Sequence, residues 1–151
     1  GKKIGFKELT KICNGLLDQD KNVQIVILTS PYNYTKVCKK LSQMSLDSVV
    51  ISYRTDTILE VAAIVSRLNL IITPDTSIAH VASAFDKPVV TIHENNMDSY
   101  HLFAPISNLN RTVFSESKNG IIGFSIELLL NYCFELNNMN NKNYDKLILK
   151  G

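Results

Sequence analysis

Short apolar runs rich in β-branched residues, alternating with segments of helical spacing, constrain this chain more than any other feature. Residues 23–28 read Val-Gln-Ile-Val-Ile-Leu, and residues 48–52, 70–73 and 88–92 have the same character. Such nearly continuous runs suit strands covered on both faces. Before the first run, Phe6, Leu9, Ile12 or Cys13, and Leu16 or Leu17 recur at helix spacing over residues 6–17. A second helix is predicted over 33–44, lysine-rich on one side. Thr57-Ile58-Leu59-Glu60 fits the S/T-x-x-E capping box, so a third helix begins near Asp56 and runs to about Leu68, with Leu59, Ala62, Ala63 and Val65 available for packing. A fourth is predicted over 77–85 and a last one over 123–136, with a weaker fifth strand at 111–114.

Strand–helix alternation predicts an α/β fold: a Rossmann-like parallel sheet with helices on both faces. Ligands of such sheets sit at the carboxyl ends of the strands. That places functional residues at 29–30, 52–56, 74–80 and 93–96. The chain opens directly into a helix, whereas the first strand of a doubly wound domain is central. The fold is therefore expected without its first strand, which was cut off or is supplied by another chain. Residues 1–136 form one domain in this reading. Residues 137–151, dominated by Asn137, Asn138, Asn140, Asn141 and Asn143, form an Asn-rich linker or tail, from which Tyr144 and residues 147–149 could dock back.

Composition excludes several classes. The 151 residues carry a net charge of +2 without a long basic run, so neither nucleic acid nor an acidic membrane is called for as a partner. The apolar stretches are far too short to cross a bilayer. Cys13, Cys38 and Cys133 form no C-x-x-C pair and are odd in number, as expected of reduced thiols in a cytoplasmic protein. His80, His93 and His101 have no matching cysteine or acid spacing, so no metal site is expected. Neither G-x-G-x-x-G nor a Walker A pattern occurs, which argues against a dinucleotide oxidoreductase or a P-loop enzyme.

Residues 70–92 carry the chemistry: strand, tight turn, helix, short turn, strand. Asp75 stands where the strand ends, and Thr76 is placed to cap the helix. The amides of Ser77 and Ile78 would then be free at the positive end of the helix dipole, an anion site suited to a diphosphate. His80, three residues after Ser77, projects from the same side and could donate to a phosphate oxygen. Ala79, Ala82, Ser83 and Ala84 allow close approach of helix to sheet, and Val81 and Phe85 are expected in the core. Each of these residues also has a plain structural reading: Asp75 as a carboxylate at a helix start, Thr76 and Ser77 as caps, His80 as a satisfied core histidine.

Asp75-Thr76-Ser77-Ile78-Ala79-His80, Val81-Ala82-Ser83-Ala84-Phe85 and Lys87-Pro88-Val89-Val90 together resemble the D-T-[GS]-x-x-H-x-A-x-A-x-x-x-P-V-V signature of glycosyltransferase family 9, which contains the heptosyltransferases of lipopolysaccharide core synthesis. The resemblance implies a GT-B architecture, two Rossmann-like domains facing a cleft, with this chain as the C-terminal, donor-binding half. It implies metal-independent binding of a nucleotide sugar, with ADP-heptose as a candidate donor and no cofactor. A lipopolysaccharide or other glycan would be the acceptor, and the general base would belong to an absent N-terminal domain. It implies a cytoplasmic enzyme, peripheral at the inner membrane in some settings. Lys2 and Lys3 fall where similar enzymes carry a lysine that neutralises donor phosphate, with Lys3 slightly favoured by its distance from Phe6.

Asp75, Thr76, Ser77, Ile78 and His80 complete the donor-binding set. Thr29 and Ser30 are weaker candidates. So are Arg54, Thr55 and Asp56, at the nucleobase and ribose, and His93 and Glu94, at the sugar. The chain departs from the family pattern in placing Ser77 where glycine is frequent and His93-Glu94-Asn95 where a Phe-Gly pair is common. It also has no glutamate near residues 32–35. Donor nucleotide and sugar therefore stay open, with hexose or N-acetylhexosamine transfer as an alternative. A noncatalytic Rossmann-like interaction module is the alternative of another class.

Overall fold

The computed structural model of the chain describes residues 2–44 and 46–148, with side chains up to residue 141. In order, the elements are α1 (Phe6–Gln19), β1 (Ile25–Ile27), a 3-10 turn (Pro31–Asn33), α2 (Tyr34–Leu41), β2 (Val49–Ile51), α3 (Ile58–Val65), β3 (Ile71–Pro74), α4 (Ser77–Ala84), β4 (Val89–His93), α5 (Met97–Phe103), β5 (Asn110–Phe114) and α6 (Ile126–Ile148). Every strand pairing among the described residues is parallel, as the alternating pattern requires. The strands fall into two ladders, β1–β2 and β3–β4–β5, rather than the single sheet expected. The chain divides accordingly into two compact units, residues 5–61 and residues 2–4 with 62–148.

In the first unit, Ile25, Val26 and Ile27 pair with Val49, Val50 and Ile51. The pairing is shorter than the apolar runs, and Val50 is exposed, so these strands lack the two-sided burial their composition suggests. Their carboxyl ends lead into Thr29-Ser30 and into residues 52–56, the Ser52 amide donating to the Ile27 carbonyl.

In the second unit β4 is the middle strand and the core. All five residues Val89–His93 are buried. Successive side chains point to opposite faces, so burial of all five means that both faces are covered. Helices α4 and α6 supply the cover. Ala79 and Ala82 are fully buried, as their small size suggested, letting α4 approach closely. From α6, Leu129, Cys133 and Leu136 form one buried stripe at i, i+4 and i+7. Arg111 on β5 clasps Glu135 on α6 through Nε–Oε2 at 3.2 Å and Nη2–Oε1 at 2.5 Å.

Helix starts were legible. Glu60 accepts from the Asp56 and Thr57 amides and the Thr57 hydroxyl, while the Glu60 amide donates back to Thr57 Oγ1 at 3.3 Å. This is the reciprocal capping box, and these donors hold the Glu60 carboxyl below the usual glutamate range. Thr57→Ala is expected to lower unfolding free energy by about 0.5–2 kcal/mol in a urea titration. An unchanged midpoint would remove the cap from the account of α3. Leu59 and Ala63 are exposed and Val65 buried, so only part of the expected packing face is used. Residues 59 and 63 share one side of the helix, and 65 lies on another.

Helix ends were less legible. α4 closes in a Schellman motif: Lys87 N donates to Ala82 O, Asp86 N to Ser83 O, and Asp86 takes φ 48°. The Asp86 carboxylate then accepts from the backbone and side-chain nitrogens of Asn108, both at 2.7 Å. Phe85 caps this turn beyond the last packed residue and is 46% exposed, which corrects its expected place in the core. Helix α5 was not anticipated. It is seven residues long, started by Asn96 Oδ1 accepting from Ser99 N. Helix α6 starts at Ile126 rather than 123, after Gly123 at φ 74°.

α6 continues past the expected end at Leu136 to Ile148, so the backbone of the asparagine-rich segment is helical that far. Asparagine opposes helix by only a few tenths of a kcal/mol, roughly, and a helix already nucleated by packed turns extends at little cost. The expected docking of Tyr144 and residues 147–149 lies outside the described side chains. None of the described helices is long and apolar enough to cross a membrane. The three cysteines are free thiols. Burial pushes the Cys133 thiol up to about 12 and raises Cys13 too, so both behave as core hydrophobes.

Candidate functional site

Strands β3 and β4 run in parallel with Pro74 opposite Ile92. The Asp75 amide extends the ladder by donating to the Ile92 carbonyl at 3.0 Å. That register brings Asp75 and His93 side by side at the carboxyl ends of adjacent strands, where ligands of parallel sheets bind. Asp75 is 8% exposed and His93 2%. Lys2 Nζ donates to Asp75 Oδ2 at 2.5 Å, and His93 Nδ1 lies 3.8 Å from the same oxygen. One buried carboxylate thus faces an ammonium and an imidazole.

After Asp75 the chain turns into α4. Thr73 Oγ1 and Thr76 Oγ1 are 3.2 Å apart, tying the strand end to the cap residue. Thr76 caps the helix as expected, but its hydroxyl accepts from the Ile78 amide at 3.4 Å. Ile78 is therefore not one of the free donors anticipated. A capping hydroxyl reaches the N2 or N3 amide by geometry and passes over N1. The Ser77 amide has no partner among the described residues, and Ser77 and His80 are exposed. The turn is open, and His80 is not a core histidine.

The side chain of His93 is enclosed by rings. Tyr100 of α5 meets it in a T-shaped arrangement at 5.1 Å, Phe114 of β5 lies at 6.4 Å, and Tyr100 and Phe114 contact each other at 5.0 Å. Among the described residues, His93 Nε2 is buried without a hydrogen-bond partner. Burial lowers the His93 pKa. Asp75 and Glu94 oppose that shift, while Lys2 and His80 add to it. His93 is accordingly neutral near pH 7.

A neutral buried imidazole binds fewer protons folded than unfolded below the ordinary histidine value of about 6.5, so stability rises with pH in that window. Unfolding free energy is expected to fall as pH drops from about 6.5 toward the lowered value. His93→Gln should flatten this part of the curve in urea titrations at stepped pH. A wild-type curve already flat there would contradict the assignment.

Of the two terminal lysines, Lys2 reaches Asp75, whereas Lys3 is exposed and makes no ion pair among the described residues. The lysine that pairs with Asp75 is thus not the one slightly favoured by its distance from Phe6. His93, a weaker candidate at the sugar, is the buried last residue of β4. Glu94 Oε1 accepts from the Gly120 amide at 2.9 Å, and Asn95 N donates to Ser117 O. Glu94 Oε1 thereby braces the segment at Gly120 against the end of β4.

The weaker candidates of the first unit are described there. Thr29 is half-buried. Ser30 is exposed and accepts from Asn33 Nδ2 at 3.0 Å. Arg54 Nε pairs with Asp56 Oδ1 at 3.0 Å on the surface, and Thr55 between them is buried. They follow the carboxyl end of β2, as Thr29 and Ser30 follow that of β1. Tyr100 was missed by sequence reading. Asn96 followed by Asp98 in a first turn is the signal that could have exposed its helix. His101 is exposed.

Among the described residues, no three His, Cys, Asp or Glu side chains group so as to hold a metal ion. An ammonium, an open helix N-terminus with an unpaired amide and an exposed histidine suit an anionic group instead. No curated protein and no solved structure matches the chain. The family model described as glycosyltransferase family 9 (heptosyltransferase) matches residues 4–122, well over half of the 151 residues, and spans Asp75, Thr76, Ser77, His80 and His93. With its parallel α/β architecture and the open turn after Asp75, the chain belongs to glycosyltransferase family 9.

Proposed function

We propose that the second unit binds the diphosphate of a nucleotide-sugar donor between Lys2 and the N-terminus of α4, and that it stabilises the departing nucleoside diphosphate during sugar transfer. The observation that carries this reading is Lys2 Nζ, held at 2.5 Å by Asp75 at the strand end from which α4 starts. A phosphate there would receive the Ser77 amide, the helix dipole and the lysine charge, with His80 one turn along. Charge placed where the leaving group becomes more negative lowers the barrier, because it is worth more in the transition state than in the ground state.

The family description names heptosyltransferases, which supports a heptose donor; ADP-heptose as that donor and a lipopolysaccharide acceptor at the cytoplasmic side of the inner membrane are our extension of the resemblance. No residue described here is placed as the base for the acceptor hydroxyl. We assign that role to a second, N-terminal domain of the GT-B pair and expect the chain alone to transfer no sugar. Thermal unfolding with ADP, UDP and GDP sugars tests the reading. A ligand at a hundredfold excess over its Kd stabilises by about 2.7 kcal/mol. Stabilisation by ADP sugars is expected. A larger response to UDP or GDP sugars would point to hexose or N-acetylhexosamine transfer, and no response to any would leave a noncatalytic module. Robust transfer by the chain alone would overturn the division of labour.

A further inference from the structure

We propose that His93 is a positioning residue for the donor site: when a diphosphate draws Lys2 away from Asp75, His93 takes up a proton and becomes the partner of the Asp75 carboxylate. This inference rests on the reading of Lys2 as the phosphate ligand.

Asp75 Oδ2 already faces both groups, Lys2 Nζ at 2.5 Å and His93 Nδ1 at 3.8 Å. The second distance lies just outside hydrogen-bond range, so a small side-chain shift closes it. No hydrogen bond to Nε2 ties the imidazole in place; Tyr100 and Phe114 hold it by ring packing. The side chains of Asp75 and His93 are 7% and 2% exposed, so water is a poor substitute partner for Asp75 once Lys2 leaves.

The charged groups acting on His93 are Asp75 at the end of β3, Lys2 before α1, Glu94 next in the chain and His80 on α4; Tyr100 and Phe114 supply walls. Lys2 and His80 disfavour the imidazolium, and Asp75 and Glu94 favour it. Transfer of Lys2 to a diphosphate offsets its cationic influence with added negative charge and leaves Asp75 unpaired. Both changes favour the imidazolium. The proton comes from solvent or buffer and forms a second N–H bond on the ring; no bond between heavy atoms is made or broken. Lys2 rests on Asp75, and the carboxylate is kept compensated, and therefore in place, after Lys2 departs.

Titration calorimetry of the full chain with ADP, UDP and GDP near neutral pH, in PIPES and in imidazole buffer, tests this. The apparent binding heat should vary with the ionisation heat of the buffer in the sense of net uptake, up to about one proton per nucleotide bound. His93→Gln should still bind, with the buffer dependence gone. In the wild type, the His93 ring resonances should move toward imidazolium positions on nucleotide addition, a readout independent of how the variant folds. Binding with buffer-independent heat, or uptake that persists in His93→Gln, overturns the role of His93 and leaves the phosphate role of Lys2 standing. No binding of any of the three nucleotides overturns both.

Discussion

Lys2→Ala is expected to weaken nucleoside diphosphate binding roughly 10–100-fold, the equivalent of one charge-assisted hydrogen bond of about 1.5–3 kcal/mol. The same substitution leaves the Asp75 carboxylate, 7% exposed, without its ammonium partner. Loss of one member of a fully buried pair costs several kcal/mol. The Lys2 side chain is 32% exposed, however, and water screens part of the interaction. A stability loss of about 1–2 kcal/mol is therefore expected. Lys3→Ala is the internal control: an exposed lysine one residue away should change neither quantity. Calorimetry for binding and urea unfolding for stability separate the two effects. Equal binding by Lys2→Ala and wild type would remove Lys2 from the donor site, and equal losses from Lys2→Ala and Lys3→Ala would show that only overall charge matters.

Ile92→Ala should cost about 2–5 kcal/mol of unfolding free energy, the largest stability effect predicted here. Ile92 is fully buried in the middle strand of the three-stranded ladder, where both faces are covered and little around it can collapse into a cavity. Ile92→Val removes a single methylene and should cost about 0.5–1.5 kcal/mol, so the pair forms a graded series. Because the Ile92 carbonyl accepts the Asp75 amide through the backbone, neither variant removes that bond directly. Nucleotide affinity of the folded fraction should therefore hold while the urea midpoint falls. A loss below about 1 kcal/mol for Ile92→Ala would mean that β4 is not the packed centre of this unit.

The elements of the fold were legible wherever a local rule acted alone. The Thr57–Glu60 capping box set the start of α3, and the β-branched runs marked the strands and their parallel order. Where two tendencies competed, local reading failed. Asparagine content suggested that the last helix ends at Leu136, but helix propagation carries α6 to Ile148. The apolar character of Phe85 suggested core, but the left-handed turn at Asp86 ends the helix and leaves Phe85 outside.

By itself, the order of residue types settled the strand–turn–helix unit around Asp75, the cap at Thr76 and the family to which the chain belongs, because each follows from neighbours within a few positions. Only the tertiary structure decided that Lys2 and not Lys3 reaches Asp75, that His93 is buried against Tyr100 and Phe114, and that Glu94 serves Gly120. These partners lie 73 residues apart for Lys2 and Asp75 and 26 for Glu94 and Gly120. The register of β3 against β4 and the fold of the segments beside them set which side chains meet, and no local spacing encodes that geometry.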